Sequence, residues 1–292
     1  MSTAKDKARV LAEALPYIRR FHGKIIVVKY GGNAMINEEL KTAVIKDLIL
    51  MQLVGMKPII VHGGGPEINL MLERLAIESS FVDGLRITDE NVMEVVEMVL
   101  VGKVNPEIIR HINSIGGNAV GLSGKDGRLL LCEKKQSETD LGLVGEIKKV
   151  NTELLYSLME KDYMPVVAPI GVDKEGHSYN INADDAASKI ASALNAERLI
   201  LLTNVTGIKG RKDYITYLNV ADVPQLIEDG IISGGMIPKV NCCIDAIEGG
   251  VGSTHILDGR VEHSVLLELF TNEGIGTMVG HMRQTREGRI PS

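Results

Sequence analysis

The chain has 292 residues, a formal net charge of −6, 45% hydrophobic residues and no tryptophan. A chain of this length predicts one large α/β domain or two lobes, and the acidic balance argues against non-specific nucleic-acid binding. No apolar run approaches the ~20 residues of a membrane span, the N-terminus lacks a signal-peptide core, and the three cysteines form no CxxC motif. We therefore expect a cytoplasmic, reduced protein without a metal site of its own.

Residues 5–21 are predicted to form a helix that is apolar on two sides. Its apolar residues form two stripes, Leu11, Leu15 and Ile18 on one and Val10, Ala14, Tyr17 and Phe21 on the other. Pro16 removes a backbone hydrogen bond and is expected to kink the helix. The pattern leaves open whether this helix covers its own core or packs on something outside its domain.

The stretch from Lys24 to Gly32 contains four consecutive β-branched residues, which is typical of a strand buried on both faces of a parallel sheet. The strand ends at Lys29, and Gly31 and Gly32 follow. Ligands of open α/β sheets bind at the carboxyl ends of the strands. A lysine at such an end suits an anion, although a lone lysine is more often just an exposed charge.

A second buried strand, Pro58 to His62, follows a helix that Asn37 is expected to cap and Gly55 to stop. The strand leads into Gly63, Gly64, Gly65 and Pro66, and then into a predicted helix from Glu67 to about Ala76. Free N–H groups and a helix N-terminus favour an anion. The alternative is a tight turn without a ligand. Neither a Walker A loop nor a GxGxxG fingerprint is present.

Residues 80–88 are predicted to form a loop, after which Thr88 or Asp89 caps a helix to about Val101. Arg86 lies in this turn-rich segment, and its planar guanidinium suits a carboxylate. A second helix is expected after Pro106. Glycine-punctuated short strands between residues 119 and 150 predict hairpins.

Asn180, Asn182 and Asp184 alternate along the chain, so an extended backbone would point all three side chains the same way. Alternatively, Asn182 or Asp184 caps the following helix. An apolar strand over residues 198–203 then ends at Asn204 and Gly207, which predicts a second, nucleotide-sized site.

A glycine-rich segment from Ser233 leads into a last helix with Lys239 in its first turn. A cation at that position opposes the helix dipole, which is reasonable if an anion binds there. Lys29 and Lys239, both near glycine-flanked element ends, therefore support one another as ligands of one anion.

Five motifs together resemble the amino acid kinase family, and they run in order through nearly the whole chain. They are Lys29-Tyr-Gly-Gly, His62-Gly-Gly-Gly-Pro, Gly84-Leu-Arg-Ile-Thr-Asp, Asn180-Ile-Asn-Ala-Asp and Gly234-Gly-Met-Ile-Pro-Lys. The resemblance is greatest to members that phosphorylate N-acetyl-L-glutamate, the second step of arginine biosynthesis. It implies an open three-layer αβα sandwich with a mainly parallel, eight-stranded central sheet.

The resemblance also implies a role for each matching residue. Residues 1–190 would form an N-terminal lobe for N-acetyl-L-glutamate, and residues 191–292 a C-terminal lobe for ATP, with Mg²⁺ bound through the nucleotide phosphates. The implied assignments are Lys29, Lys239 and Asp184 as catalytic residues, Gly64, Gly65, Arg86 and Asn180 for the amino acid substrate, and Gly31, Gly32, Asn204 and Gly207 for the nucleotide. Position 204 is Asn where the family more usually has Asp, which bears on the nucleotide contact and not on the reaction.

Family members that are inhibited by arginine resemble this chain in having an N-terminal helix, through which dimers interlace into a hexamer. The resemblance therefore implies arginine feedback inhibition, with Tyr17, His263 and Glu273 as ligands, and leaves open whether a PII-type signalling protein binds. Three alternatives remain at this stage: a family kinase acting on glutamate, aspartate, carbamate or UMP; a non-catalytic arginine sensor; and a dinucleotide-binding oxidoreductase.

Overall fold

The computed structural model describes residues 4–35, 37–271 and 274–281. Its α-helices are Ala4–Phe21 (α1), Glu38–Leu53 (α2), Gly65–Arg74 (α3), Glu90–Val99 (α4), Asn105–Ser114 (α5), Thr152–Met159 (α6), Ala183–Ala193 (α7), Val223–Glu228 (α8), Met236–Glu248 (α9) and Ser264–Phe270 (α10). Within these ranges no helix combines the length and the apolar character needed to cross a membrane.

The strands are Ile25–Tyr30 (β1), Lys57–His62 (β2), Phe81–Val82 (β3), Leu85–Arg86 (β4), Ala119–Ser123 (β5), Leu130–Lys134 (β6), Gly145–Val150 (β7), Met164–Ala168 (β8), Ile170–Val172 (β9), Ser178–Asn180 (β10), Arg198–Thr203 (β11), Ile208–Lys209 (β12), Tyr214–Ile215 (β13), Tyr217–Asn219 (β14), Ser253–Asp258 (β15) and Thr277–Gly280 (β16). Eight of them form the central sheet, in the order β14-β16-β15-β11-β1-β2-β8-β5. Six of the eight are parallel, and only β14 and β16 run the other way.

The central sheet separates two hydrophobic cores, as expected for strands that are apolar on both faces. In β1, Ile26 and Val28 face one core and Val27 faces the other. The first core is covered by α2, α3, α4, α5 and α10, and the second by α6, α7 and α9. This confirms the predicted three-layer αβα sandwich with a mainly parallel, eight-stranded sheet.

Several local predictions are confirmed. Asn37 caps α2 by accepting hydrogen bonds from the backbone N–H groups of Glu39 and Leu40. Asp89, rather than Thr88, caps α4 through the N–H of Val92. Helix α1 is continuous through Pro16 and exposes Val10, Leu11 and Leu15.

Other predictions need correction. Strand β5 was expected in a hairpin, but it is the edge strand of the central sheet and pairs in parallel with β8. Only β6 and β7 form the expected hairpin there. Residues 80–88, expected to be a loop, contain the short antiparallel pair β3–β4. Helices α4 and α5 are joined by a π-helical turn, Leu100–Val104, and apolar residues on both sides of this turn pack in the same core.

Candidate active site

The carboxyl ends of β1, β2, β11 and β15 meet at one edge of the central sheet. In the parallel register Lys29 lies beside Val61 of β2 and Leu201 of β11. Each of these strands leads into a glycine-containing turn at this edge. Glycine segments that are far apart in the sequence are thus gathered around the end of β1.

Lys29 and Lys239 share one carboxylate, that of Asp184. The Lys29 ammonium lies 3.0 Å from Asp184 Oδ1, and the Lys239 ammonium donates a hydrogen bond of 2.6 Å to Asp184 Oδ2. The side chains of Lys29 and Asp184 are each only 13% exposed. The structure therefore brings together the three residues that the sequence predicted as catalytic, from a strand (β1) and from the first turns of two helices (α7 and α9).

The charges in this cluster favour an anionic ligand. Burial alone would raise the pKa of Asp184, but the ion pairs with Lys29 and Lys239 outweigh it and lower that pKa to about 2. Asp184 is therefore a carboxylate at neutral pH. Two ammonium groups and one carboxylate leave one positive charge at the strand ends, in a partly desolvated site where charges interact strongly.

Asn182 determines where Asp184 lies. The side-chain oxygen of Asn182 accepts hydrogen bonds from the backbone N–H groups of Asp184 and Asp185, so Asn182 is the N-cap of α7. The prediction that Asn180, Asn182 and Asp184 share an extended backbone is wrong, because the helix begins at Ala183. The capping alternative is confirmed, and the cap sets Asp184 in the first helical turn.

Two glycines leave room for this cluster. A Cβ atom at Gly31 would lie 2.8 Å from the Lys29 ammonium, so a side chain there would displace the lysine. Gly32 has φ +68° and lies against the side-chain amide of Asn204, where a Cβ atom would collide with it. The predicted nucleotide residues Gly31, Gly32 and Asn204 are therefore neighbours of Lys29, whereas Gly207 lies farther along the turn, against Thr277.

Arg86 provides a second cationic group. It is only 6% exposed, its guanidinium donates to Ser79 Oγ at 2.8 Å and to Asn69 Oδ1 at 2.6 Å, and it lies over the ring of Phe81. Burial lowers the pKa of Arg86. Within the described ranges no carboxylate comes within ion-pair distance of this guanidinium, so it carries a charge that an acidic ligand can neutralise.

Thr88 connects Arg86 to Asn180, a link that the amino-acid sequence alone does not reveal. The fully buried Thr88 hydroxyl donates to the Arg86 carbonyl oxygen at 2.8 Å and accepts from Asn180 Nδ2 at 3.1 Å. Since the one hydroxyl proton is used on Arg86, Asn180 must donate. Asn180 Oδ1 has no donor among the described residues and remains an acceptor for a ligand. The motif Gly84-Leu-Arg-Ile-Thr-Asp contains this threonine, but the sequence does not show which residues its hydroxyl contacts.

Two of the three predicted arginine ligands, Tyr17 and His263, lie at opposite ends of α10. Tyr17 packs on Phe270, at the end of α10, with ring centroids 6.4 Å apart. His263 lies at the start of the same helix and pairs through Nδ1 with the buried Asp47 at 2.6 Å. Seven helical residues, about 10 Å, separate the two ends of α10. Glu273 lies outside the described residues.

No group of three or more His, Cys, Asp or Glu side chains able to hold a metal ion is found in the described part of the chain. The mainly parallel sheet and the lysines that share a buried carboxylate at its strand ends define the class of the protein as an α/β enzyme acting on an anionic substrate.

Comparison with known proteins agrees with this class. The amino acid kinase family matches residues 24–258. The chain is 57% identical over 293 residues to a protein of Heliobacterium modesticaldum named acetylglutamate kinase, covering 96% of this chain and 99% of that one. It is 58% identical over 285 residues to the acetylglutamate kinase of Desulforamulus reducens, with the same coverage. The chain belongs to the amino acid kinase family.

Solved structures show the same fold. N-acetylglutamate synthase from Neisseria gonorrhoeae, solved with coenzyme A and N-acetyl-glutamate, superposes with a TM-score of 0.83 and 25% identity over 93% of this chain. This chain spans 63% of that synthase chain. Carbamate kinase from Giardia lamblia has a TM-score of 0.65 and 17% identity, covering 88% of this chain and 98% of that one, and it bears on the fold alone.

Proposed function

We propose that this chain transfers the γ-phosphoryl group of ATP to the side-chain carboxylate of N-acetyl-L-glutamate, forming N-acetyl-L-glutamyl 5-phosphate, the second step of arginine biosynthesis. The observation that carries the proposal is the pair of ammonium groups held by Asp184 at the strand ends. Relatives that are 57–58% identical over almost the whole chain are named acetylglutamate kinase, and this name supports the choice of substrate.

The chemistry needs charge stabilisation more than covalent help. Phosphoryl transfer proceeds by in-line displacement, with negative charge on the transferred group. Lys29 and Lys239 stabilise that charge from two sides, and Asp184 keeps their ammonium groups at a defined separation. The acceptor carboxylate is already ionised at neutral pH, so no general base is required.

The two substrates are assigned to different parts of the chain. Residues 1–190 bind N-acetyl-L-glutamate through Gly64, Gly65, Arg86 and Asn180. Residues 191–292 bind most of ATP, with Asn204 and Gly207 among its contacts, and Gly31 and Gly32 of the N-terminal part complete the nucleotide site beside Lys29. Mg²⁺ enters with ATP, bound to its phosphates, as part of the substrate.

Arg86 and Asn180 suit the two ends of the acceptor's amino acid group. The buried guanidinium of Arg86, which lacks a carboxylate partner among the described residues, fits the α-carboxylate. The free Oδ1 of Asn180 fits a donor such as the N–H of the acetylated amine. Thr88 sets the amide orientation and thereby determines which atom Asn180 presents.

Replacing Thr88 with valine tests this assignment. The isosteric change removes the hydroxyl but keeps the volume, so the amide of Asn180 is free to turn its donor toward the substrate. We expect KM for N-acetyl-L-glutamate to rise about tenfold, in line with the ~1–1.5 kcal/mol of one hydrogen bond, while KM for ATP stays unchanged.

Thr88→Ser is the matched control, because serine keeps both hydrogen bonds and loses only a methyl group. We expect T88S to retain a KM near that of the wild type. Equal KM values for T88V and the wild type, or an equal rise for T88S and T88V, would contradict the role of the hydroxyl.

The assay that tests the function measures ATP- and Mg²⁺-dependent phosphorylation of N-acetyl-L-glutamate, with glutamate, aspartate, carbamate and UMP as alternative acceptors. Turnover of the acetylated acceptor alone is expected. Turnover of another acceptor would keep the lysine cluster and overturn the substrate. Binding of arginine without turnover of any acceptor would favour a non-catalytic sensor.

We also propose that the protein is a cytoplasmic hexamer, formed as a trimer of dimers. L-Arginine would inhibit this hexamer by feedback. Helix α1 leaves Val10, Leu11 and Leu15 60%, 72% and 54% exposed, an apolar face that suits a partner subunit. Tyr17 and Phe270 join α1 to α10, so arginine bound near them would affect both helices. A PII-type signalling protein is a further candidate partner.

Deleting residues 1–20 should therefore give dimers that retain most of their turnover without arginine but are insensitive to arginine. Size-exclusion chromatography with light scattering and an arginine titration measure the two properties. The double variant Leu11→Asp, Leu15→Asp should dissociate the hexamer while keeping Phe21 in the core, and Glu13→Gln, on the exposed polar face, serves as its control. A deletion variant that stays hexameric and arginine-sensitive would refute this part of the proposal.

A further inference from the structure

His62, at the carboxyl end of β2, is completely buried and has a polar partner on both ring nitrogens. Nδ1 lies 2.8 Å from the carbonyl oxygen of Gly63, and Nε2 lies 3.0 Å from Nδ2 of Asn105. A carbonyl oxygen can only accept a hydrogen bond, so Nδ1 carries the proton. An amide nitrogen can only donate, so Nε2 carries the lone pair. The ring is therefore neutral and in the Nδ1–H tautomer.

Asn105 is itself held in the orientation that this assignment requires. Its Nδ2 also donates to the carbonyl oxygen of Val166 in β8 at 2.9 Å, a hydrogen bond that the amide oxygen could not make. Burial lowers the pKa of His62 to about 4, so the ring stays neutral at neutral pH. Contacts on both sides thus determine the tautomer of His62.

The hydrogen bond from His62 determines how the next peptide is turned. The Gly63–Gly64 peptide is planar and trans, so its N–H points opposite to its C=O. With the Gly63 carbonyl directed at His62, the Gly64 N–H points away from the ring. Neither Gly64 N–H nor Gly65 N–H has an acceptor among the described residues. Two free donors therefore lie at the start of α3, next to the end of β1, where Gly63 N–H donates to Tyr30 O at 2.8 Å.

The π-helical turn supports the same arrangement. Leu100, at its start, lies against Gly64 so closely that a Cβ atom on the glycine would collide with it. Asn105 follows directly after the turn and is 5% exposed. The extra residue of a π-turn shifts the positions that follow it around the helix axis, and such turns often occur at functional sites. Here the turn places Leu100 against the glycine segment and Asn105 against His62.

We propose that His62 is a positioning residue that turns the Gly63–Gly64 peptide so that the Gly64 N–H donates to the phosphoryl group in the transition state, an inference that rests on the proposed function. The ring itself never touches the substrate. Its effect is to prevent the peptide from flipping and presenting a carbonyl oxygen to a negatively charged group. A donor aimed in advance at developing charge stabilises the transition state more than the ground state.

His62→Leu and His62→Asn form a matched pair of variants. Leucine cannot donate, whereas the amide nitrogen of asparagine is as many bonds from Cβ as Nδ1 is and can donate to the Gly63 carbonyl. Loss of one such donor typically lowers kcat by about 100- to 1000-fold. Because the peptide in H62L flips only part of the time, we expect kcat to fall about 10- to 100-fold, with KM for ATP within about threefold of the wild type. H62N is expected to recover most of kcat.

Thermal unfolding separates positioning from a merely structural role. Asparagine is smaller than histidine and leaves a cavity, so H62N should unfold at a lower temperature than H62L. Positioning predicts that the less stable variant, H62N, is the more active one. If kcat instead follows thermal stability, or if H62L keeps the kcat of the wild type, the inference is wrong.

If H62L does not fold, the variant Asn105→Ala is used to test the inference instead. It keeps His62 but removes the donor to Nε2, which is one of the two contacts that fix the tautomer. The Nε2–H tautomer, which cannot donate to the Gly63 carbonyl, is then populated part of the time. We expect kcat to fall several-fold without a change in KM for ATP, and an unchanged kcat overturns the inference. The wild-type assay is run first, because absence of turnover there refutes the proposed function, whereas variants that match an active wild type refute only the role of His62.

Discussion

Replacing Lys29 with methionine is expected to lower kcat by about 100- to 1000-fold, with little change in KM for N-acetyl-L-glutamate. Methionine keeps the length and apolar stem of lysine but cannot stabilise negative charge. Groups aimed at developing charge in a partly desolvated site contribute about 2.7–4 kcal/mol to transition-state stabilisation, which corresponds to this range. The Lys29 side chain is 13% exposed and ion-paired with Asp184 at 3.0 Å, so its ammonium is already held in place before the substrate binds.

Lys24→Met is the matched control. Lys24 directly precedes the same strand at its opposite end, is 51% exposed and pairs with Glu197 at 3.5 Å. It should have nearly the kcat of the wild type, because exposed ion pairs contribute little. Lys29→Arg should not restore activity, since a planar guanidinium does not reproduce the compact charge that the Lys29 ammonium places 3.0 Å from Asp184 Oδ1. Equal losses in K24M and K29M would contradict a catalytic role for Lys29.

Replacing Asp184 with asparagine is expected to lower kcat by about 100-fold or more. The two lysines would then face each other without a counter-charge, and like charges 4 Å apart repel by about 4 kcal/mol at an effective dielectric constant of 20. They would separate and no longer match the positions of the transferred oxygens. Asp184→Asn should also be non-additive with Lys29→Met, because both changes remove parts of one cluster.

Asp185→Asn is the control for Asp184→Asn. Asp185 is the next residue in the same helical turn, but it forms no ion pair with Lys29 or Lys239 among the described residues. A change at the helix N-terminus that only weakens the favourable dipole interaction costs about 0.3–1 kcal/mol. If D185N lowers kcat as much as D184N does, the loss arises from the helix terminus and not from the lysine pair.

The pH dependence of stability gives an independent check on Asp184. Folding lowers its pKa from 3.8 to about 2, so the ionised carboxylate stabilises the folded protein above about pH 4. That stabilisation is lost as the pH falls toward about 2. The difference in free energy of unfolding between the wild type and D184N should therefore be largest at neutral pH and shrink below about pH 4. A difference that grows on acidification would contradict the ion-pair arrangement.

Much of the fold followed from local patterns. The continuous apolar runs of β1, β2 and β11 predicted strands buried on both faces, and each lies in the interior of the central sheet. The cap at Asn37 was read from the sequence because it depends on residues only two and three positions away. Strands buried on both faces and helix caps can be predicted from the sequence, because each depends on residues that are close together in the chain.

The prediction that β5 forms a hairpin was wrong for a physical reason. A short strand interrupted by glycine resembles a hairpin arm whether it pairs with its neighbour in sequence or with β8, and pairing across the sheet is decided by long-range packing. The sequence left the geometry of Asp184 open between two alternatives, because Asn182 is equally suited to an extended segment and to a helix cap.

The sequence by itself thus determined the fold class, the family and the residue types at the strand ends, since burial and glycine turns are local properties. Only the tertiary structure decided that Lys29 and Lys239 meet on opposite oxygens of Asp184, that Thr88 turns the amide of Asn180, and that Asn105 sets the tautomer of His62. Each of these contacts joins residues that are at least 43 positions apart in the sequence. Their geometry depends on strand order and helix packing, which no short segment of the chain encodes.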